Sequence, residues 1–331
     1  MPRRRTTTNP PATSGQARRR KITSAATMLP LALGLAGNVN TSHPAAGAHA
    51  GTSGGPGAPI SISCSLPFTP IQRHHAIDDA CPATGNSKLD TPQAAQNEAK
   101  NNFCAANTPN APVNIDFDVL HQLQQEAAKV TTFGSDGSLP QDRSVLRKLS
   151  SNAGSIGEGT VVRIVAFVIS AHPSNVGSGE SVNCKRKDAE SNDIHIVLGK
   201  NSNQDEECSS VTAEMSPHFR PDTWTPDNMN HNNARLFRFT GHLFFDASHK
   251  PCSGSTGPNP KRSSLWEIHP VYAVEICGDT RNDCKVDSDQ NWIALPDFVG
   301  PGEQEGENSN SESRVERPGR FRMAEPLRGP S

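Results

Sequence analysis

Aromatic residues are scarce, 5% of 331, with Tyr272 the sole tyrosine, and hydrophobic residues of every kind reach only 33%. A membrane-embedded bundle, a coiled coil and a collagen-like fibre all need compositions far from this one. Crossing a bilayer as a helix takes about 20 apolar residues, and the mildly apolar stretch 25–37 has thirteen. The eight cysteines include no CxxC pair, which removes the main support for a zinc ribbon or a thioredoxin-like site. No GxSxG elbow accompanies Ser248, Ser263 or Ser264. Gly154, Gly157 and Gly159 are spaced GxxGxG ahead of a strand, the wrong context for a phosphate loop. Acidic residues are missing from the first fifty positions, which carry seven basic ones. The remainder therefore holds 25 Lys and Arg against 34 Asp and Glu, a net charge of −9. Such a surface repels phosphate backbones and anionic headgroups, so nucleic acid is disfavoured as a partner.

What the N-terminus does contain is ordered like an export signal. A basic segment (17–23, with Arg19-Arg20 also compatible with a twin-arginine signal) precedes the apolar stretch. Ala46-Gly47-Ala48-His49-Ala50 then offers small residues for cleavage after Ala50. The expectation is a signal peptide over 1–50 and a periplasmic or secreted protein without a membrane span. All eight cysteines follow that point, and an even number in an exported chain suggests disulfides. Loop spacing favours Cys184 with Cys208, Cys277 with Cys284, and two of the remaining four as a helical staple.

Residues 51–60 are a Gly/Pro/Ser/Ala linker, and 61–155 read as a helical, loop-rich region. Thr91 is a candidate N-cap with Pro92 at the first helical position, followed by Ala95, Ala99 and Phe103. Asp116 is a second N-cap before a stripe of Phe117, Leu120, Leu123 and Ala127. A short third helix is expected over 144–149. Between 156 and 285 the pattern changes to strands at 160–169, 193–198, 211–215, 235–246 and 266–277. The first is nearly continuous in apolar residues and reads as buried on both sides over part of its length. In the fourth, Phe237, Phe239, Leu243 and Phe245 share a face with Gly241, where a bend fits. In the fifth, Trp266, Ile268, Tyr272, Val274 and Ile276 are placed inward, with Pro270 marking a bulge or an edge. Five strands, a long first one and a glycine bend predict a mainly β fold, an OB-like five-stranded barrel preceded by covering helices. An open sheet packed on the helices is the alternative. Residues 300–331 read as a disordered tail.

Ala95-Gln96-Asn97, Lys100-Asn101-Asn102-Phe103-Cys104, Asp193-Ile194-His195, Thr240-Gly241-His242-Leu243, Asp246 with His249, and Trp266-Glu267-Ile268-His269-Pro270 together resemble a group of uncharacterised bacterial exported proteins with an OB-like barrel. The resemblance covers about 75–278. It implies that the helical region and the barrel belong together, and it implies no activity.

Chemistry is concentrated in Asp193-x-His195, Asp246-x-x-His249 and Glu267-x-His269. Residues two apart on a strand share a face, so Asp193 pairs with His195 and Glu267 with His269. Carboxylate with imidazole is a ligand set for zinc or manganese and equally a general acid/base pair. In the OB strand order 1-2-3-5-4 the third strand separates these pairs by about 9–10 Å, and Glu214 on it lies between them. The bland reading is that alternation simply makes these the solvated face. Two functions fit these residues: a binding or structural module with no cofactor and a cell-envelope partner or ligand, or a metal-dependent hydrolase using Asp193, His195, Glu267 and His269.

Overall fold

The computed structural model describes residues 74–102, 111–203, 207–218 and 220–298. The expected signal peptide, the linker, the tail, Cys64, Phe103 and Cys104 lie outside the described residues. Five strands form where alternation marks them: β1 (Val161–Pro173), β2 (Ile194–Gly199), β3 (Val211–Met215), β4 (Leu236–Phe245) and β5 (Trp266–Cys277). They hydrogen-bond in the order β1-β2-β3-β5-β4, and β4 returns to β1 and closes the barrel. Only β3 and β5 run parallel within it. This is the OB-like barrel, and its closure removes the exposed edges that a chain poor in apolar residues is least able to protect. Among the described residues no helix is long and apolar enough to cross a membrane.

The length of β1 has a topological cause. Its first half, 161–167, pairs with β4, and its second half, 167–173, pairs with β2, with an irregularity between Val168 and Ser170. Val162, Ile164, Ala166 and Val168 enter the core. The alternate residues Val161, Val165, Phe167 and Ile169 are only half-buried, so β1 is not covered on both sides as its composition suggests. Two large side chains on β4, Phe237 and Phe239, stack in the core with ring centroids 5.8 Å apart. Burial of each such aromatic stabilises the fold by roughly 1.5–3 kcal/mol.

Gly241 and Pro270 act together. The β4–β5 register shifts on both sides of Gly241, and a Cβ on Gly241 would stand 2.4 Å from the Pro270 carbonyl oxygen and 2.7 Å from Ile268 Cγ2. The strands can approach only because that position has no side chain. Gly241→Ala is therefore expected to lose about 1–3 kcal/mol of stability, measured by urea unfolding. An unchanged midpoint would mean that the two strands do not meet so closely. The same irregularity corrects one inward assignment. Val271 takes the core position, and Tyr272 turns to the outer face, where its hydroxyl donates to the Asn102 carbonyl and lies 3.0 Å from His242 Nδ1.

Among the described residues, three α-helices accompany the barrel. α1 (Pro92–Lys100) starts at Thr91, whose hydroxyl accepts from the Ala94 amide, and α2 (Phe117–Val130) starts at Asp116, which accepts from Val119. The α2 stripe is buried as patterned. In α1 the buried residues are instead Ala94, Gln96 and Asn97, so its inner face is largely polar. The helix expected at 144–149 is a single 3-10 turn, Arg143–Leu146, followed by a short strand, Leu149–Ser151. α3 (Pro226–His231) packs on β1, and the Asn230 amide exchanges two hydrogen bonds with the Ala171 backbone.

Cys277–Cys284 forms as expected, but Cys184 is bonded to Cys81 and Cys208 to Cys252. The expected Cys184–Cys208 bond fails on strand geometry. Cys184 lies in the loop before β2 and Cys208 in the loop after it, so a six-residue strand, about 20 Å long, runs between the two loops.

Candidate functional site

Alternation gives β2, β3 and β5 an outer face of polar residues, and cross-strand register aligns them. His195 lies opposite Glu214, Thr212 opposite Glu267, and Glu267 opposite Phe244. This face is buried, which overturns its reading as solvated. Asp193, His195, Glu214, Asp246, Glu267 and His269 are all buried, the last two completely. Cover comes from the end of α1 and from the loops 174–193 and 246–265. Period-two patterning identifies which face is apolar, but says nothing about whether the other meets water or a second polar layer.

Glu214 lies between the two carboxylate–imidazole pairs, as the strand order implies. Its Oε1 is 3.9 Å from His195 Nε2 and its Oε2 is 3.0 Å from His269 Nδ1. Asp193 Oδ1 approaches the other nitrogen of His269 at 3.9 Å, and Glu267 Oε2 lies 3.7 Å from Nδ1. Three of these side chains, Asp193, Glu214 and His269, offer ligand atoms that all lie within 4.8 Å of one another. The convergent set thus contains Glu214 in place of His195 and Glu267, two members of the expected metal set. His195 reaches only the far oxygen of Glu214. Asp246 and His249 form a separate pair at the edge, 2.6 Å apart, with the His249 side chain 38% exposed.

Cations that the strand pattern does not reveal complete the cluster. Lys100, on the last turn of α1, stands 3.6 Å from Glu214 and 3.7 Å from Glu180. Arg262 forks between Glu267 and Asp246, its Nη2 donating to Asp246 Oδ2 at 2.8 Å. Gln96 carries the network outward to Arg143, which pairs with Glu158 and donates to the Phe245 carbonyl. The Phe244 ring is flanked by Lys100 and Arg143, 5.7 and 5.2 Å from its centroid, and by His269. Neither Lys100 nor Arg262 lies on a strand, so alternation carries no trace of them. The available signal was the charge itself, because a buried face with this many carboxylates requires cations from elsewhere.

The electrostatics follow from this packing. Burial would raise Glu214, yet Lys100 and His269 beside it hold it well below the usual carboxylate range. Asp193 goes the other way: burial pushes it up, against the opposing charge of His269. His269 would be lowered by burial, but the Glu214 charge outweighs that and holds it up at about 10. His195 is lowered by burial. His249 is raised, first by its hydrogen bond to Asp246.

A serine relay is not formed here. Ser248 Oγ donates to Asp246 and lies 3.0 Å from His249 Nδ1, the same nitrogen that Asp246 approaches. A Ser–His–Asp triad places serine and acid on opposite ring nitrogens. A cavity of about 300 Å³ lies against Pro173, Glu190, Arg220, Trp224 and neighbouring prolines, and none of the cluster's residues line it.

His242, on the same outer face, is pushed down to about 4 by burial. Its unfolded value is about 6.5, so folding favours the neutral ring. That contribution is complete above about pH 6.5, is lost as pH falls towards 4, and totals about 3 kcal/mol. A His242→Gln variant is expected to lose less stability than the wild-type chain between pH 6.5 and 4, measured by urea unfolding across that range. Equal slopes would show that His242 is not the sensor.

No protein-family model, curated protein or solved structure matches the chain. The functional reading therefore rests on the site itself.

Proposed function

We propose that the chain is an exported, non-catalytic binding or structural module, an OB-like barrel braced by disulfides, as its resemblance to bacterial exported proteins also suggests. The observation that carries this reading is the burial of the carboxylate–imidazole cluster, with Glu267 and His269 fully enclosed and Glu267 and Asp246 held by Arg262. A hydrolase needs an open position where substrate and water meet the reacting groups, and here α1 and two loops take that place. In OB barrels the face of the second and third strands is the usual ligand surface. In this chain, its own Lys100 lies against Glu214 of β3, which supports a partner other than nucleic acid, as does the net charge. An open, proline-rimmed recess lies beside Trp224, outside the cluster. Three disulfides among the described residues fit an oxidising compartment such as the periplasm or the exterior.

The test is a hydrolysis screen of the mature chain on ester, phosphoester and peptide substrates, with and without added zinc or manganese. No turnover above the blank is expected. Turnover abolished by His269→Gln in a folded protein would establish the metal-dependent hydrolase instead.

A further inference from the structure

His269 is fully buried, yet neither ring nitrogen has a hydrogen-bond partner. Glu214 Oε2 is only 3.0 Å from Nδ1, and it too lacks a hydrogen bond, as does Glu267 Oε2. Atoms at that distance without an aligned N–H are not bonded to each other. Glu267 Oε2 lies 3.7 Å from the same nitrogen. A buried imidazole and two buried carboxylate oxygens without aligned hydrogen bonds depend on charge alone, and one cation among them would give all three a direct partner.

The surrounding charge points the same way. Contacts of 4.0 Å or less place Glu180 and Glu214 on Lys100, Asp246 and Glu267 on Arg262, and Asp193 on His269, so five carboxylates face two permanent cations. A bound ion among them would bring the layer closer to charge balance.

We propose that Asp193, Glu214 and His269 form a sealed site for a divalent cation of the zinc–manganese class, with Glu267 Oε2, outside that set but 3.7 Å from His269 Nδ1, turning in as a further donor. Two carboxylates and one imidazole match the donor preference of these ions. Their bonds of about 2.0–2.2 Å put two ligands at most about 4.4 Å apart. The observed spread of up to 4.8 Å closes with small side-chain rotations. Arg262, on Glu267 Oε1, orients that carboxylate from behind, while Lys100 stands 3.6 Å from Glu214 Oε2 itself. With no position left open to solvent the ion is structural. It joins the loop before β2, β3 and β5, and the site does not depend on whether the module has a ligand.

The experiment is metal analysis by mass spectrometry on the untagged mature chain, purified without chelator and then incubated separately with zinc(II) and manganese(II) salts and desalted. The expected result is about one equivalent of one metal per chain. It should be lost in Asp193→Asn and His269→Gln and kept in His249→Gln, with circular dichroism confirming folding. A wild-type chain that stays metal-free after both incubations overturns the proposal, and so does metal retained by both ligand variants. If those variants do not fold, cobalt(II) bound to the wild-type chain decides. Visible bands of nitrogen- and oxygen-ligated cobalt support the site, and a spectrum of aqueous cobalt alone overturns it.

Discussion

Arg262→Met is expected to destabilise the protein by about 3–5 kcal/mol. The guanidinium is 1% exposed and binds two carboxylates, Asp246 and Glu267, that are themselves 2% and 0% exposed. Methionine fills much of the same volume, so the loss measures two carboxylates stranded in a low-dielectric layer more than a packing defect. Arg262→Lys keeps the charge but cannot fork between two acids, and should recover only part of the loss. The decisive control is Arg262→Met combined with Asp246→Asn and Glu267→Gln. Removing all three charges should restore most of the stability, because an ion-pair network is worth little beyond the cost of breaking it one-sidedly. Urea unfolding of the four proteins gives these differences directly. If the triple variant is as unstable as Arg262→Met alone, the loss comes from packing and the electrostatic account of this layer is wrong.

Loss of the Cys81–Cys184 disulfide should cost about 4.7 kcal/mol, against about 2.4 for Cys277–Cys284, on the chain-entropy model. The difference follows from their separations, 103 and 7 residues. Structure adds to it. Cys184 lies in the β1–β2 loop, and the segment held there by Cys81 also supports α1: the Asn97 amide donates to the Thr84 carbonyl and to Ser181 Oγ. Freeing Cys81 therefore loosens the helix that brings Lys100 to Glu214. Serine replacements of each pair, compared by thermal unfolding, test the order. A larger loss from the seven-residue loop would contradict it.

The strands of the barrel were legible because period two is a strong signal in segments such as Asp193-Ile194-His195-Ile196-Val197-Leu198. Their observed limits lie close to the patterned ones. Caps were legible for a similar reason, since Thr91 and Asp116 act through local hydrogen bonds. Tyr272 was misplaced because two register shifts flank Gly241 and displace the parity of β5 only between them, so that Val271 is in the core while Val274 and Ile276 keep the patterned side, and patterning contains no count of extra residues. The disulfide partners of Cys184 and Cys208 depend on which end of β2 each occupies, a three-dimensional fact. The largest gap was the burial of the polar face. Alternation identified Asp193, His195, Glu214, Glu267 and His269 as neighbours in a layer, but their cover comes from Lys100, Arg262 and Gln96, residues off the strands that carry no periodic signal.

The polar layer is sealed from solvent, a closure that also shuts out substrate. Treatment of the native mature chain with diethyl pyrocarbonate near pH 7, followed by peptide mass spectrometry, tests it at individual histidines. His195 and His242 are the reporters, because burial lowers both and keeps them in the neutral, reactive form. Exposed His121 and His231 serve as positive controls. The two controls are expected to be modified while His195 and His242 stay unmodified until the chain unfolds. Modification of His195 and His242 at the rate of the controls, in a protein that remains folded, would show an open site and contradict the account.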